Sequence, residues 1–230
     1  MALTGISALR SDRDARTAMF ALEDGRAEAA LVAATASVNE DRGRAANWGL
    51  LGEAYELAGN SQAASNAYAE AARRAPYDGT YWSSLARSRA RELLSGEGNA
   101  EAVLDAARRG VAADPNSPQL HAVQAEVANL TGDYEQALAE AALAARLDPG
   151  NAEYEALAVA AALSVSDPHI GVGALNELLA VHDSAALRAG LATLALELND
   201  RDGARLQASR ALELDPQNRD ARAILSQIGG

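Results

Sequence analysis

This chain repeats itself, and that constrains its fold more than any single residue does. Residues 132–151 read GDYEQALAEAALAARLDPGN and residues 203–218 read GARLQASRALELDPQN, in each case an Ala-rich helix-forming run that ends on Leu-Asp-Pro-x-Asn. Self-similarity at a regular period marks an array of small supersecondary units, none of which can bury its apolar face alone. Within one copy, Ala137, Leu138, Ala141, Ala144 and Ala145 recur three and four apart, which puts them on one face of a helix. No stretch alternates apolar and polar residues with period two. The pattern therefore predicts an all-α chain of stacked helix pairs, closed by a terminal helix with a polar outer face.

The period is clearest over residues 45–78, AANWGLLGEAYELAGNSQAASNAYAEAARRAPYD. Trp48, Leu51, Gly52 and Tyr55 stand at the spacing W-x2-L-G-x2-Y. Ala64, Tyr68 and Ala71 follow as small and aromatic contacts, and Pro76 closes the unit. This copy resembles the tetratricopeptide repeat at every signature position.

The neighbours keep the register. Residues 11–44 carry Gly25, Ala30 and Ala34 but lack the Trp and the Pro. Residues 79–117 begin with Trp82 and Leu85 and end after Pro115, five residues too long, with the surplus expected around RELLSGEGN as an extension of the first helix or of the turn. Residues 118–151 restore the period through Gly132, Tyr134, Ala137, Ala141 and Pro149. Residues 152–184 lack the closing Pro, yet Asp167-Pro168 suits a helix start, and Gly171, Leu175 and Leu178 keep the packing spacing. Residues 185–218 are regular again through Ala204, Ala208, Ala211 and Pro216, and residues 219–230 read as a solvating cap helix. Ser117-Pro118 and Asn218 look like helix starts with side-chain caps. The expected architecture is one solenoid domain over 1–230, with about six helix-turn-helix repeats and a cap. Its right-handed superhelical sense is implied by the resemblance.

Composition agrees with closely packed helices. Of the 230 residues 57 are Ala, and only 4% are aromatic; Ala has the best helix propensity and lets helix axes approach. All 20 basic residues are Arg, a bias that together with the Ala content points to a bacterial source. The net charge of −12 argues against nucleic acid or an anionic membrane surface as the main partner. Segment 118–184 holds one basic residue, Arg146, against ten acidic ones, so a basic partner segment is the electrostatic expectation. No apolar run approaches the length of a membrane span, and MALTGISALR lacks the apolar core of a signal peptide. The expectation is a soluble chain, cytoplasmic or the soluble part of a longer membrane-attached protein, monomeric or weakly self-associating, and not inserted in a membrane.

Reactive chemistry is sparse. Cys is absent, so thiol nucleophiles and disulfides are excluded, and a Walker-type phosphate loop lacks its Lys. Three His residues occur, His121, His169 and His182. The run His182-Asp183-Ser184 reads as a turn between repeats, because adjacent residues cannot form a nucleophile–base–orienter arrangement by themselves. His169 and His182 have no metal-ligand spacing, and the glycines of SGEGN and HIGVG do not match a dinucleotide fingerprint. Trp48, Tyr55, Tyr68 and Trp82 fall on packing positions. No catalytic, cofactor or metal site is expected.

In tetratricopeptide proteins the first helix of each pair lines a concave groove that holds a partner segment. That resemblance implies groove positions at Met19 and Leu22, Glu53 and Glu56, Arg87 and Arg91, Glu126 and Asn129, Ala160 and Leu163, and Thr193 and Leu196. Arg87 and Arg91 can equally pair with Glu53 and Glu56 across neighbouring repeats. The expected function is a non-enzymatic protein-interaction scaffold. A second reading comes from residues 73–90, RRAPYDGTYWSSLARSRA, which resemble the soluble repeat regions of bacterial O-antigen ligase-like membrane enzymes.

Overall fold

The computed structural model describes residues 2–229, with side chains from Leu9 onward. Among these residues every regular element is an α-helix. They are α1 (Ala2–Glu23), α2 (Ala27–Glu40), α3 (Ala45–Leu57), α4 (Ser61–Arg74), α5 (Gly79–Leu94), α6 (Ala100–Ala113), α7 (Pro118–Thr131), α8 (Tyr134–Leu147), α9 (Ala152–Ala162), α10 (Pro168–Leu179), α11 (Ala185–Glu197), α12 (Arg201–Leu214) and α13 (Arg219–Gly229). Six helix pairs and a terminal helix make an all-α repeat solenoid. The chain divides into two compact units, Met1–Pro115 with α1–α6 and Asn116–Gly230 with α7–α13.

Local chemistry sets the helix boundaries. The side chains of Asn60, Asp78, Asn99, Asp133, Asn151, Asp167, Ser184 and Asp200 each accept a backbone N–H in the first turn of the helix that follows, satisfying donors the helix itself cannot. Asn218 caps α13 in the same way, accepting from Ala221 N at 2.9 Å. Ser117 departs from the expectation: its hydroxyl donates to Gln119 Oε1, and no side-chain cap forms. Pro118 and Pro168 open α7 and α10, where a missing N–H costs nothing.

The turn inside five of the six pairs bends through a left-handed residue: Gly25, Gly59, Gly96 and Gly132, and in the last pair Asn199 at φ 59°. Asn is the non-Gly residue that tolerates this conformation best. The α9–α10 turn does without one, and Asp167-Pro168 reopens the chain instead.

Helix α1 begins well before residue 11, so the first repeat is longer at its start than its sequence pattern shows. The third pair absorbs its surplus in both ways allowed by the sequence. Helix α5 has 16 residues where α3 has 13, and the α5–α6 connection has five residues (95–99) where α3–α4 has three (58–60).

The core of each unit is mostly Ala. In the first unit Ala18, Ala21, Ala30, Ala34, Ala54 and Ala67 pack with Val38 and Leu51. In the second, Ala125, Ala141, Ala158 and Ala162 join Leu138, Leu175, Leu187 and Leu194, and a smaller cluster of Ala204, Ala208, Ala211 and Ala221 with Ile224 seats α13. Small side chains let the helices approach, and the larger ones fill between them. Gly52 shows the limit: a Cβ there would stand 2.5 Å from Cε1 of the fully buried Tyr68. The LG pair of the signature is thus a packing requirement, since the Tyr68 ring lies on the α3 backbone.

One polar seam crosses the first unit. The buried Asn47 amide nitrogen lies 2.9 Å from Ser11 Oγ and 3.0 Å from both Ser37 O and Asp41 O, so its two N–H groups are shared among three acceptors. The seam adds hydrogen bonds to the apolar packing that holds α1, α2 and α3 together.

Candidate binding grooves

The first helices of the pairs hold the candidate residues in place. In the first unit, Met19 lines a small recess of about 340 Å³ with Asp12, Arg16 and Arg44, across which Arg44 pairs with Asp12. Leu22 packs into the core between α1 and α2. On α3 and α5, Arg91 pairs with Glu56, as the repeat spacing allows, while Arg87 is exposed on α5. Burial and the neighbouring Glu56 charge raise the Glu53 carboxyl above its ordinary range. Burial likewise raises the hydroxyls of Tyr68 and Tyr81, helped by the Glu56 and Glu53 charges on Tyr68 and by Asp78 and Glu53 on Tyr81. Glu53 is itself exposed, so its raised carboxyl reflects the protein atoms packed on one side of it and the neighbouring Glu56 charge.

The second unit holds an apolar trough of about 570 Å³ between α9, α11 and α13. Ala156, Val159, Ala160 and Leu163 form one wall and Ala186, Ala189, Gly190 and Thr193 the floor. The other wall comes from Ala223 and Ile224, with Asn218 and Asp220 at its end. Three of the sequence candidates, Ala160, Leu163 and Thr193, meet here. Leu196 instead packs against the cluster under α13, and Glu126 and Asn129 are exposed on α7 outside the trough. The contribution of α13 went unread in the sequence, although Ala221, Ile224 and Ile228 at helical spacing already gave that helix an apolar face.

The titratable groups that tempt a catalytic reading are engaged elsewhere. His182 Nδ1 lies 2.6 Å from Glu155 Oε1, a nearly buried carboxylate of α9. Asp183 binds Arg188 through both oxygens at 2.8 Å, which holds its carboxyl below the usual range. Ser184 caps α11. His182, Asp183 and Ser184 therefore point to three different partners. His121 is buried against Glu140 at 2.6 Å, and Gln124 donates to the same carboxylate at 3.0 Å. His169 stands in the first turn of α10, where its backbone N–H meets Asp167. Among the described residues no three His, Cys, Asp or Glu side chains come together as a metal site, and no helix is long and apolar enough to cross a membrane.

Trp48 and Trp82 are half-buried and braced alike. Their indole N–H groups donate to Arg42 O and Pro76 O, and Arg74 and Arg109 lie over the rings at 4.7 and 5.1 Å. They are built into the stack.

Comparison of the structure with solved structures decides the fold. The C-terminal part of a TPR repeat-containing protein from Cytophaga hutchinsonii superposes with a TM-score of 0.67 at 14% identity, over 94% of this chain and 87% of that one. This protein has the tetratricopeptide-repeat fold. Pseudomonas aeruginosa pilF matches with a TM-score of 0.62 at 14% identity, covering 96% and 99% of the two chains. YrrB, described as a TPR protein with an unusual peptide-binding site, matches with 0.54 at 15% identity over 91% and 88%. No family model matches the sequence, and no curated protein is similar to it. At these identities the tetratricopeptide likeness carries the architecture and leaves the ligand to the site itself.

Proposed function

We propose that this tetratricopeptide-fold protein is a non-enzymatic interaction scaffold, and that the α9–α11–α13 trough holds a partner segment. The observation that supports this most is the trough itself: a concave, Ala-lined surface on the first helices, bounded by exposed apolar side chains such as Leu163. Small side chains along the floor leave room for the larger anchors of an incoming helix or extended segment. Asp220 is the one charged residue among those lining it, so a segment with an apolar anchor flanked by Arg or Lys suits it best. The peptide-binding description of YrrB supports a peptide class of partner for the fold, and the likeness of residues 73–90 to ligase-like enzymes gains no support from the comparisons.

The test is selection of peptides from a displayed random library, followed by titration of the winners against the wild type and against Ala160→Arg. Ala160 is exposed, so Arg is accommodated without loss of fold and fills the trough. Selected peptides rich in Arg or Lys beside an apolar residue, at least about tenfold weaker on Ala160→Arg, support the reading. Peptides that bind both proteins equally refute it. Asp220→Asn removes the charged end, and association with a basic peptide then slows and depends less steeply on salt.

A further inference from the structure

The first and last helices differ in what they leave uncovered. On α13 the outward positions Arg219, Arg222, Ser226 and Gln227 are polar, as the closing helix of a repeat array needs to be. Helix α1 departs from that rule. It buries Ser11, Ala15, Ala18 and Ala21 in its own unit, while on the opposite face Leu9 is 72% and Phe20 63% exposed. Eleven residues are three helical turns to within about 20°, so these two side chains stand in one line, about 16 Å apart along the axis. Arg13 and Arg16 lie between them on the same line. Arg13 pairs with Asp14 on its flank and Arg16 donates through Nε to Asp12 O, yet both Arg side chains remain exposed. The result is an apolar pair with two guanidinium groups between, on a helix that its own unit already holds folded.

The trough of the second unit complements this stripe in length, shape and charge. Its three helices, α9, α11 and α13, stand side by side and span two interaxial spacings, about 16–20 Å, which matches the separation of Leu9 and Phe20. Its floor of Ala186, Ala189 and Gly190 is shallow in side chain and leaves depth for a Phe ring. Asp220 stands at its end, and the unit that carries it, residues 116–230, has 16 acidic residues against seven Arg, so a helix bearing Arg is drawn to it.

From this complementarity, and resting on the trough as a binding groove, we infer that the partner segment is helix α1 of a second copy of this chain. It lies across α9, α11 and α13 with Leu9 and Phe20 as anchors and with Arg13 and Arg16 toward the acidic surround. Because α1 is folded beforehand, docking does not carry the ordering cost that a disordered peptide meets. The contact is heterologous: the α1 of one copy meets the trough of the next, which leaves one free α1 and one free trough at the ends. Such a contact extends into chains with rising concentration unless its rotation closes a ring.

The experiment is sedimentation velocity of the full chain from about 1 to 500 µM, with self-association expected at a dissociation constant on the order of 10–100 µM, as suits a small single-helix contact. Phe20→Glu and Ala160→Arg both stand at exposed positions, and each raises that constant about tenfold or more. An equimolar mixture of the two regains association as a 1:1 dimer that grows no further, since it joins the intact trough of Phe20→Glu to the intact α1 of Ala160→Arg. Leu9→Glu repeats the Phe20→Glu result from the other end of the stripe. A wild-type chain that stays monomeric throughout the range, association that persists in both variants, or a mixture that stays monomeric overturns the inference. Titration of Phe20→Glu with library-selected peptides separates this inference from the groove it rests on: peptides that bind Phe20→Glu and fail on Ala160→Arg uphold the trough when the wild type does not self-associate, and leave a foreign partner as its occupant.

Discussion

The guanidinium of Arg74 lies over the indole of Trp48 at 4.7 Å, and both side chains donate to a single acceptor, the carbonyl of Arg42, at 2.6 and 2.9 Å. The end of α4 is thereby fastened to the chain entering α3. Arg74 also pairs with Glu70 one turn back, which holds that carboxyl below its ordinary range.

Removing the charge while keeping the stem tests this brace. Arg74→Met is expected to cost about 1 kcal/mol, the sum of a cation–π contact and a hydrogen bond in a partly exposed setting. Arg109→Met, where the ring distance is 5.1 Å, costs less. Urea denaturation of the two variants checks the order, and a larger loss at Arg109 contradicts it.

Two glycines give opposite signs. Gly52→Ala drives a methyl into the Tyr68 ring and is expected to destabilise by about 1–3 kcal/mol. Gly173→Ala, inside α10 with nothing within 4 Å of its Cβ direction, is expected to stabilise by up to about 1 kcal/mol through helix propensity. Thermal melts of both variants decide, and a neutral Gly52→Ala removes the packing argument for the LG pair.

Glu53 and Asp183 should respond to pH in opposite directions. The folded state holds the Glu53 carboxyl high, so its contribution is favourable at low pH and lost as pH rises through the folded value. Glu53→Gln is therefore expected to raise the melting temperature at pH 7, by an amount that vanishes below about pH 4, where the unfolded carboxyl is protonated too. Asp183 is held low by Arg188, so its contribution is present at neutral pH and disappears as pH falls through its folded value. Asp183→Asn loses stability at pH 7 and little in acid. Melting curves across pH in which both variants shift the same way would contradict the assignment.

The architecture could be read from the sequence because it rests on local, periodic signals. Pro76, Pro115, Pro149 and Pro216 each fall in the turn that closes a pair, and Asp167-Pro168 opens α10. The surplus in the third repeat was visible as a broken count. Side-chain meetings between helices were not visible, because periodicity tells which face is apolar and not what stands opposite. Asn47 reaching Ser11 and Ser37, and Glu155 reaching His182, join residues whose spacing carries no motif. Arg91 with Glu56 was readable, since positions one repeat apart on parallel first helices face each other. The trough was half readable. Ala160, Leu163 and Thr193 follow from the repeat register, whereas Asp220, Ala223 and Ile224 lie on a cap helix outside it.

Backbone amide NMR of the protein during titration with a library-selected peptide tests the central proposal most directly. Binding in the trough predicts the largest shifts at Ala160, Leu163, Thr193 and Ala223, with small ones along α10 and α12, and their collapse in Ala160→Arg. Shifts concentrated on α10 and α12, or a pattern unchanged by Ala160→Arg, would contradict it.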